Sequence, residues 1–262
     1  MFVMISLFLE YLKQYVKTRL IYRWDFLVQF LTDLMFQGFN LVFILVVFTH
    51  TTHLKGWTQS EVIFIYGYFL VPWAFFATFF NIWTFNDRYI IQGELDRVLT
   101  RPVHSLLQVL MENMTPESLL GAINGFLVMA WSMSSLELEW KWYDPLFFGL
   151  FVFGGVAVYG GINIAIMSIS LYTDSKNDIQ PIVFNIGNYG RYPVNLYHRI
   201  IQIVLTWILP FAFVGFYPAS FFLDRQEWKE LALLTPVVGI IVLLFGIFCW
   251  NRGIRHYRGA GN

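Results

Sequence analysis

Six apolar runs, each long enough to cross a lipid bilayer as a helix, constrain this chain more than any other feature. A hydrocarbon core of about 30 Å takes about 20 apolar residues in a helix. The runs lie at about 26–49, 61–85, 106–134, 146–172, 200–223 and 231–250. Of the 262 residues, 57% are hydrophobic, 20% aromatic and 13% charged, whereas soluble chains carry about 25% charged residues. A soluble domain of this length has nowhere to hide so much apolar surface, so the expected solvent is a bilayer. The third run is interrupted by Glu112, Asn113, Pro116 and Glu117, and its spanning part is expected to start near Ser118. Pro210 should bend or break the fifth, and the Tyr217-Pro218 step should end it. Net charge is zero, which argues against a nucleic-acid-binding face. The single cysteine, Cys249, cannot form an internal disulfide, and no Cys/His cluster has metal-site spacing.

Charge in the connections predicts an orientation. With the N-terminus inside, only Lys55, Lys141, Arg225 and Lys229 of the 17 basic residues fall outside. Arg88, Arg97, Arg101, Lys176, Arg191 and Arg199 all fall inside, so the positive-inside rule places both termini in the cytoplasm. Trp24, Trp57, Trp140, Trp142, Trp228 and Trp250 sit near run ends, as an interfacial aromatic belt requires. The opening residues are not a good secretory signal, because positive charge follows the apolar residues instead of preceding them. Residues 5–23 read as an amphipathic helix on the membrane surface. Leu9, Leu12, Tyr15, Val16 and Leu20 fall near one face, and Lys13, Lys17 and Arg19 lie elsewhere. No second domain or internal repeat is evident, so residues 1–262 form one transmembrane domain.

Between the second and third runs lies IIQGELDRVLTRP, residues 90–102. Ile91, Leu95, Val98 and Leu99 share one helical face, and Glu94, Arg97 and Arg101 share another. Pro102 ends the segment. Two readings remain open: a surface helix that caps a loop, or a stiff docking helix whose charged face fits a cytoplasmic partner.

The chain resembles the membrane subunits of ABC-2-type transporters, and more closely a group of export permeases among them. The resemblance rests on GELDRVLTRP at 93–102, RYPVNLY at 191–197 and LPFAFVGFYPA at 209–219. It implies an all-α integral membrane fold with six transmembrane helices, an N-terminal interface helix, a coupling helix at 88–102 and both termini inside. It further implies a multi-pass protein of the bacterial plasma membrane that exports a substrate. An ABC ATPase subunit would dock against residues 5–23 and 88–102, with Glu94, Asp96, Arg97, Arg101, Lys13 and Lys17 as the contact residues. A second permease, identical or paralogous, would pair through the first and fifth crossings. The sequence contains no G-x-x-x-x-G-K-[ST], so this chain carries no cofactor and ATP and Mg would belong to the partner.

Gln29, Asp33, Gln37 and Asn40 fall on one face of the first crossing, at spacings of 4, 4 and 3. Asp33 lies roughly 10 Å into the span if it begins near Phe26, and a lone carboxylate there costs a few kcal/mol. This face is either structural glue at a subunit contact or the wall of a pathway. Gln202, Thr206 and Pro210 on the fifth crossing would pair with it. The glycines at 154, 155, 160 and 161 suggest close helix packing or a hinge. No H-E-x-x-H or G-x-S-x-G occurs, and His50 and His53 lack a carboxylate pair that would complete a metal site. A membrane-embedded enzyme using Asp33 or His198, or a channel, is the alternative class.

Overall fold

The structure is a computed structural model that describes residues 10, 11, 13, 15, 17, 21, 23–173 and 179–259. Most of the expected interface helix at 5–23 therefore lies outside the described residues. The described residues are mostly helical, with no strand among them. Five helices are long and apolar enough to cross a membrane, and one bent pair brings the count to as many as six. They begin with α1 (Arg23–Thr49) and α2 (Gln59–Phe79). After a π-helical turn at Phe85–Ile91 come α3 (Glu94–Leu99), α4 (Ser105–Glu112) and α5 (Leu120–Leu136). Then follow α6 (Asp144–Thr173), α7 (Ile179–Gly187), α8 (Arg199–Ile203), α9 (Phe216–Phe222) and α10 (Lys229–Ile254).

Local chemistry sets the boundaries. Thr58 starts α2 with a capping box: the Glu61 N–H donates to Thr58 Oγ1 at 3.4 Å, and the Thr58 N–H donates to Glu61 Oε2 at 2.9 Å. The second span ends at Phe79, six residues earlier than the apolar pattern suggests, because the chain turns before the π-helical stretch. Residues 106–112 of the third run are not part of a crossing but form α4, and the span proper runs Pro116–Leu136. Pro116 begins this span where its missing N–H costs nothing.

The loops identify two ends of the bundle. At the turn end, Arg225 bridges Glu61 at 2.6 Å and donates to the Gly56 carbonyl at 2.9 Å, while Lys141 bridges Asp224 at 2.9 Å. Asp144 is buried there and accepts the Lys141 N–H at 2.8 Å. At the opposite end, where the π-helical turn, α3 and α4 form a hairpin over residues 85–112, Trp250 Nε1 donates to Ser105 Oγ at 3.1 Å.

The fifth run differs most from expectation. Gln180, on α7, donates to the carbonyl of Ile82 beyond the far end of α2, whereas Asn195 accepts from Trp57 Nε1 at 2.9 Å and Lys55 Nζ donates to its carbonyl at 3.0 Å. Residues 180–195 thus travel toward the turn end. Residues 200–223 are not one straight helix: Arg199–Ile208 and Phe211–Phe222 meet at 75°. Pro210 breaks the chain there as expected, but Pro218 is accommodated in the first turn of α9 and ends nothing.

Two buried clusters organise the interior. The larger surrounds α2, where Phe64, Tyr66, Tyr68 and Phe69 are enclosed by α5, α6 and the bent segment. The smaller joins the hairpin to α6 and α10 through Phe85, Tyr89, Leu95, Val98, Leu171 and Trp250. α6 and α10 lie against each other along most of their length with backbones nearly touching. A Cβ added to Gly161 would sit 2.4 Å from the Val242 carbonyl oxygen, and one on Gly246 would sit 2.4 Å from that of Gly161. Gly154 and Gly161 on one helix, and Gly239 and Gly246 on the other, repeat every seven residues, which keeps a small-residue seam facing its partner. Gly154, Gly155, Gly160 and Gly161 of α6 serve packing.

Gly161→Ala is expected to destabilise the fold by about 1–3 kcal/mol through overpacking. Gly149→Ala, on the same helix with nothing within 4 Å of the added Cβ, is expected to be tolerated. Thermal unfolding in detergent, followed by size-exclusion chromatography, compares the two.

Candidate functional site

Two polar constellations stand out, one at the hairpin end and one inside the bundle. The hairpin is not the single helix expected over 88–102. Gly93 takes φ of 71°, a left-handed conformation that breaks the run between the π-helical turn and α3. The break rotates the two halves relative to one another. Leu95 and Val98 are fully buried as predicted, but Ile91 and Leu99 point outward, 56% and 40% exposed.

The charges of the hairpin converge on Glu112, whose side chain is 5% exposed. Its Oε2 accepts from Arg97 Nη2 at 3.0 Å and Tyr89 OH at 3.1 Å. Its Oε1 accepts from Gln108 Nε2 at 3.0 Å, Tyr11 OH at 3.1 Å and Arg101 Nη1 at 3.4 Å. Arg97 also reaches Glu94 at 3.3 Å, and Glu94 is bridged by Arg88 Nε at 2.7 Å. Asn113 donates to Tyr89 OH at 2.7 Å and completes the net. Burial pushes the Glu112 carboxyl upward, but hydrogen bonds from Gln108, Tyr11 and Tyr89 and the charge of Arg97 outweigh it and hold the group below the usual glutamate range. Burial pushes the Tyr89 hydroxyl up to about 12, so it stays a neutral donor. Sequence reasoning missed Glu112 and treated it as an interruption of a crossing. The signal was the Gln108/Glu112 pair, one turn apart on a short amphipathic helix. Of the other expected contact residues, Asp96 lies outside this net beside Gly259, and Lys13 and Lys17 are exposed. Lys13 meets Glu10 at 3.8 Å, a pair too solvated to matter much.

The second constellation is a cavity of about 490 Å³ between α1, α2, the start of α5 and residues 184–191. Asp33, Gln37 and Asn40 line it, as the polar face of the first run predicts, together with Glu117, Asn124, Asn188 and Arg191. The side chain of Gln29 lies outside the described residues. Asn124 Nδ2 donates to Gln37 Oε1, and Tyr66 OH donates to the Gln37 carbonyl at 2.8 Å. Arg191 Nη1 donates to Asn40 Oδ1 at 2.8 Å, Nε to the Asn188 carbonyl at 3.0 Å, and Nη2 to Asn188 Oδ1. The guanidinium also rests 5.4 Å from the Phe69 ring centre. Asp33 faces the cavity with no hydrogen bond or ion pair among the described residues. Gln202, Thr206 and Pro210 do not reach it. Gln202 donates to the Tyr197 carbonyl at 3.0 Å, just before the bent segment, and Thr206 pairs with Tyr217 OH at 2.8 Å within it. His198 and Asp33 are not brought together: His198 caps α8, accepting the Ile200 N–H at 3.5 Å.

Because Glu112 titrates lower in the folded state than in the unfolded one, its contribution is full above the unfolded value near 4.5 and is lost as pH falls through the folded value. Wild type is expected to exceed Glu112→Ala in stability by about 1–3 kcal/mol at neutral pH, because that variant leaves buried donors unmet. The difference should shrink as the pH is lowered below the unfolded value near 4.5. Chemical unfolding at a series of pH values checks both statements.

Comparison with known proteins gives one match: a family described as "ABC-2 family transporter protein" covers residues 34–261. No curated protein and no solved structure matches.

Proposed function

The chain belongs to the ABC-2 transporter family, and on that premise we propose that it is the permease subunit of an ATP-driven exporter whose ATPase is a separate polypeptide. The observation that carries this reading is the construction of the hairpin. Leu95 and Val98 plug α3 into the cluster holding Leu171 of α6 and Trp250 of α10, while Glu112 ties α3 to α4. A push on the hairpin therefore reaches two membrane-spanning helices without passing through a flexible joint. Ile91, Leu99, Arg97 and Arg101 remain exposed on its outer surface and suit a groove on a partner. Asp96, outside the ion-pair net, is placed to set register with that partner. Tyr11 donates to Glu112, which fits an interface helix resting on the same hairpin and contributing Lys13 and Lys17 to the ATPase contact. ATP and Mg are held by the partner.

On this reading the hairpin end is cytoplasmic and both termini lie inside. The fifth crossing is carried by residues 179–198, and 199–222 dips back into the bilayer from the outside. Arg199 then moves outside and Arg191 into the bundle, yet basic residues inside still clearly outnumber Lys55, Lys141, Arg199, Arg225 and Lys229. A second permease, identical or paralogous, covers α1, which exposes Val28, Leu31, Met35, Phe36 and Phe39. The cavity behind Asp33 and Asn40 is the substrate path, and transport runs outward across the bacterial plasma membrane.

In a Cys249→Ser background, a membrane-impermeant maleimide applied to intact cells should label Thr51→Cys and spare Gln92→Cys; the reverse pattern would overturn the orientation. Ile91→Asp and Leu99→Asp should reduce ATPase co-purification by about tenfold, roughly 1.4 kcal/mol of contact, with folding preserved. Full co-purification by both variants would remove the docking surface.

A further inference from the structure

We infer that Arg191 is an anion-binding subsite in the cavity, and that it takes the single negative headgroup of an amphipathic molecule whose apolar body lies along Phe69, Trp73 and Phe184. This deepens the transport reading by naming the chemistry of its cargo and rests on that reading for its biological meaning. The binding claim itself stands on the cavity alone.

Arg191 is only 7% exposed, and a buried cation is costly unless an opposite charge or ample hydrogen bonding compensates it. Among the described residues its hydrogen-bond acceptors are neutral: Asn40 Oδ1, the Asn188 carbonyl and Asn188 Oδ1. No carboxylate bridges it among the described residues. A guanidinium has five N–H donors in a planar fork, so these bonds orient the group and leave donor capacity for a ligand. Phe69 supports it from the side. The volume of about 490 Å³ lies in the range of small-molecule sites.

The rest of the lining defines what fits. Trp73 packs edge-on against Phe184 at 5.1 Å and stacks on Phe69 at 6.3 Å, forming an apolar wall beside the cation. Asp33 stands seven residues before Asn40 on α1, about 10 Å along the helix. A second negative charge on the ligand would meet Asp33 or Glu117, so a single anion on an apolar body is favoured over a polyanion. A carboxylate and a phosphodiester share this chemistry, the first from a free amphiphile and the second from a bilayer lipid.

The test uses the full chain in non-ionic detergent, without ATPase, and follows tryptophan quenching by a bromine-bearing probe. Because Trp73 and Trp83 line the cavity, ω-bromoundecanoate should quench saturably, while ω-bromoundecyl-trimethylammonium should show only linear partitioning. Arg191→Gln should weaken the anion at least about tenfold, and Arg191→Lys should retain most of its binding. Displacement by phosphatidylglycerol assigns the subsite to a lipid headgroup; absence of displacement assigns it to a free amphiphile, and both support the subsite. Equal saturation by anion and cation, or linear quenching by the anion, overturns it. That comparison uses wild type alone, so it holds even if Arg191→Gln does not fold. Probe binding by a chain that recruits no ATPase would refute the transport reading and leave the subsite intact.

Discussion

The contact on which the rest of the molecule depends is the bare backbone seam between α6 and α10. Where Gly161 and Gly246 meet, the carbonyl of one helix lies against the Cα of the other. Lipid offers helices little hydrophobic reward for associating, so close packing of small residues has to supply the adhesion. The two helices become one post. The post supports the hairpin at one end, through Leu171 and Trp250, and the bent segment through Gly155, whose added Cβ would stand 3.3 Å from the Val214 backbone.

The hairpin shows how a membrane protein can hold charge rigidly near its surface. Isolated surface ion pairs contribute little. Here the acceptor is buried and receives donors from three separate stretches of chain, so the arrangement is set by geometry and not by net attraction alone. The same residues that fix α3 leave its other flank open. Stiffness beneath and exposure above are what a force-receiving contact requires.

Much of this was legible in the sequence, and what was not has physical reasons. The polar face Asp33, Gln37 and Asn40 was readable because helical spacing alone puts those residues together, and they do line the cavity. The buried pair Leu95 and Val98 followed from the same rule. Ile91 broke it because the left-handed Gly93 stands between it and α3, and periodicity carries no information across such a break; Leu99 is the last residue of α3, where the helix ends. The path of residues 180–195 was hidden because Pro181, Gly187, Gly190 and Pro193 punctuate it and leave no continuous apolar run to read. The more hydrophobic stretch after it reads as a single run, and only the 75° bend at Pro210 divides it. Glu112 and Arg191 were out of reach because their roles come from partners far along the chain: Tyr11 for one, Asn40 for the other.

Gly190 has a consequence for motion. Its backbone lies against the Phe211 carbonyl, and Gly215 in turn lies against the Gly190 carbonyl, with added Cβ atoms falling 2.5 Å away in each case. With no side chain between them to act as a bearing, the stretch carrying Arg191 and the stretch broken at Pro210 cannot slide past each other by small steps. They shift together or separate outright. Any widening of the bundle at its turn end must therefore drag the guanidinium along or strip it of its neighbours, and its grip on whatever it holds would change abruptly.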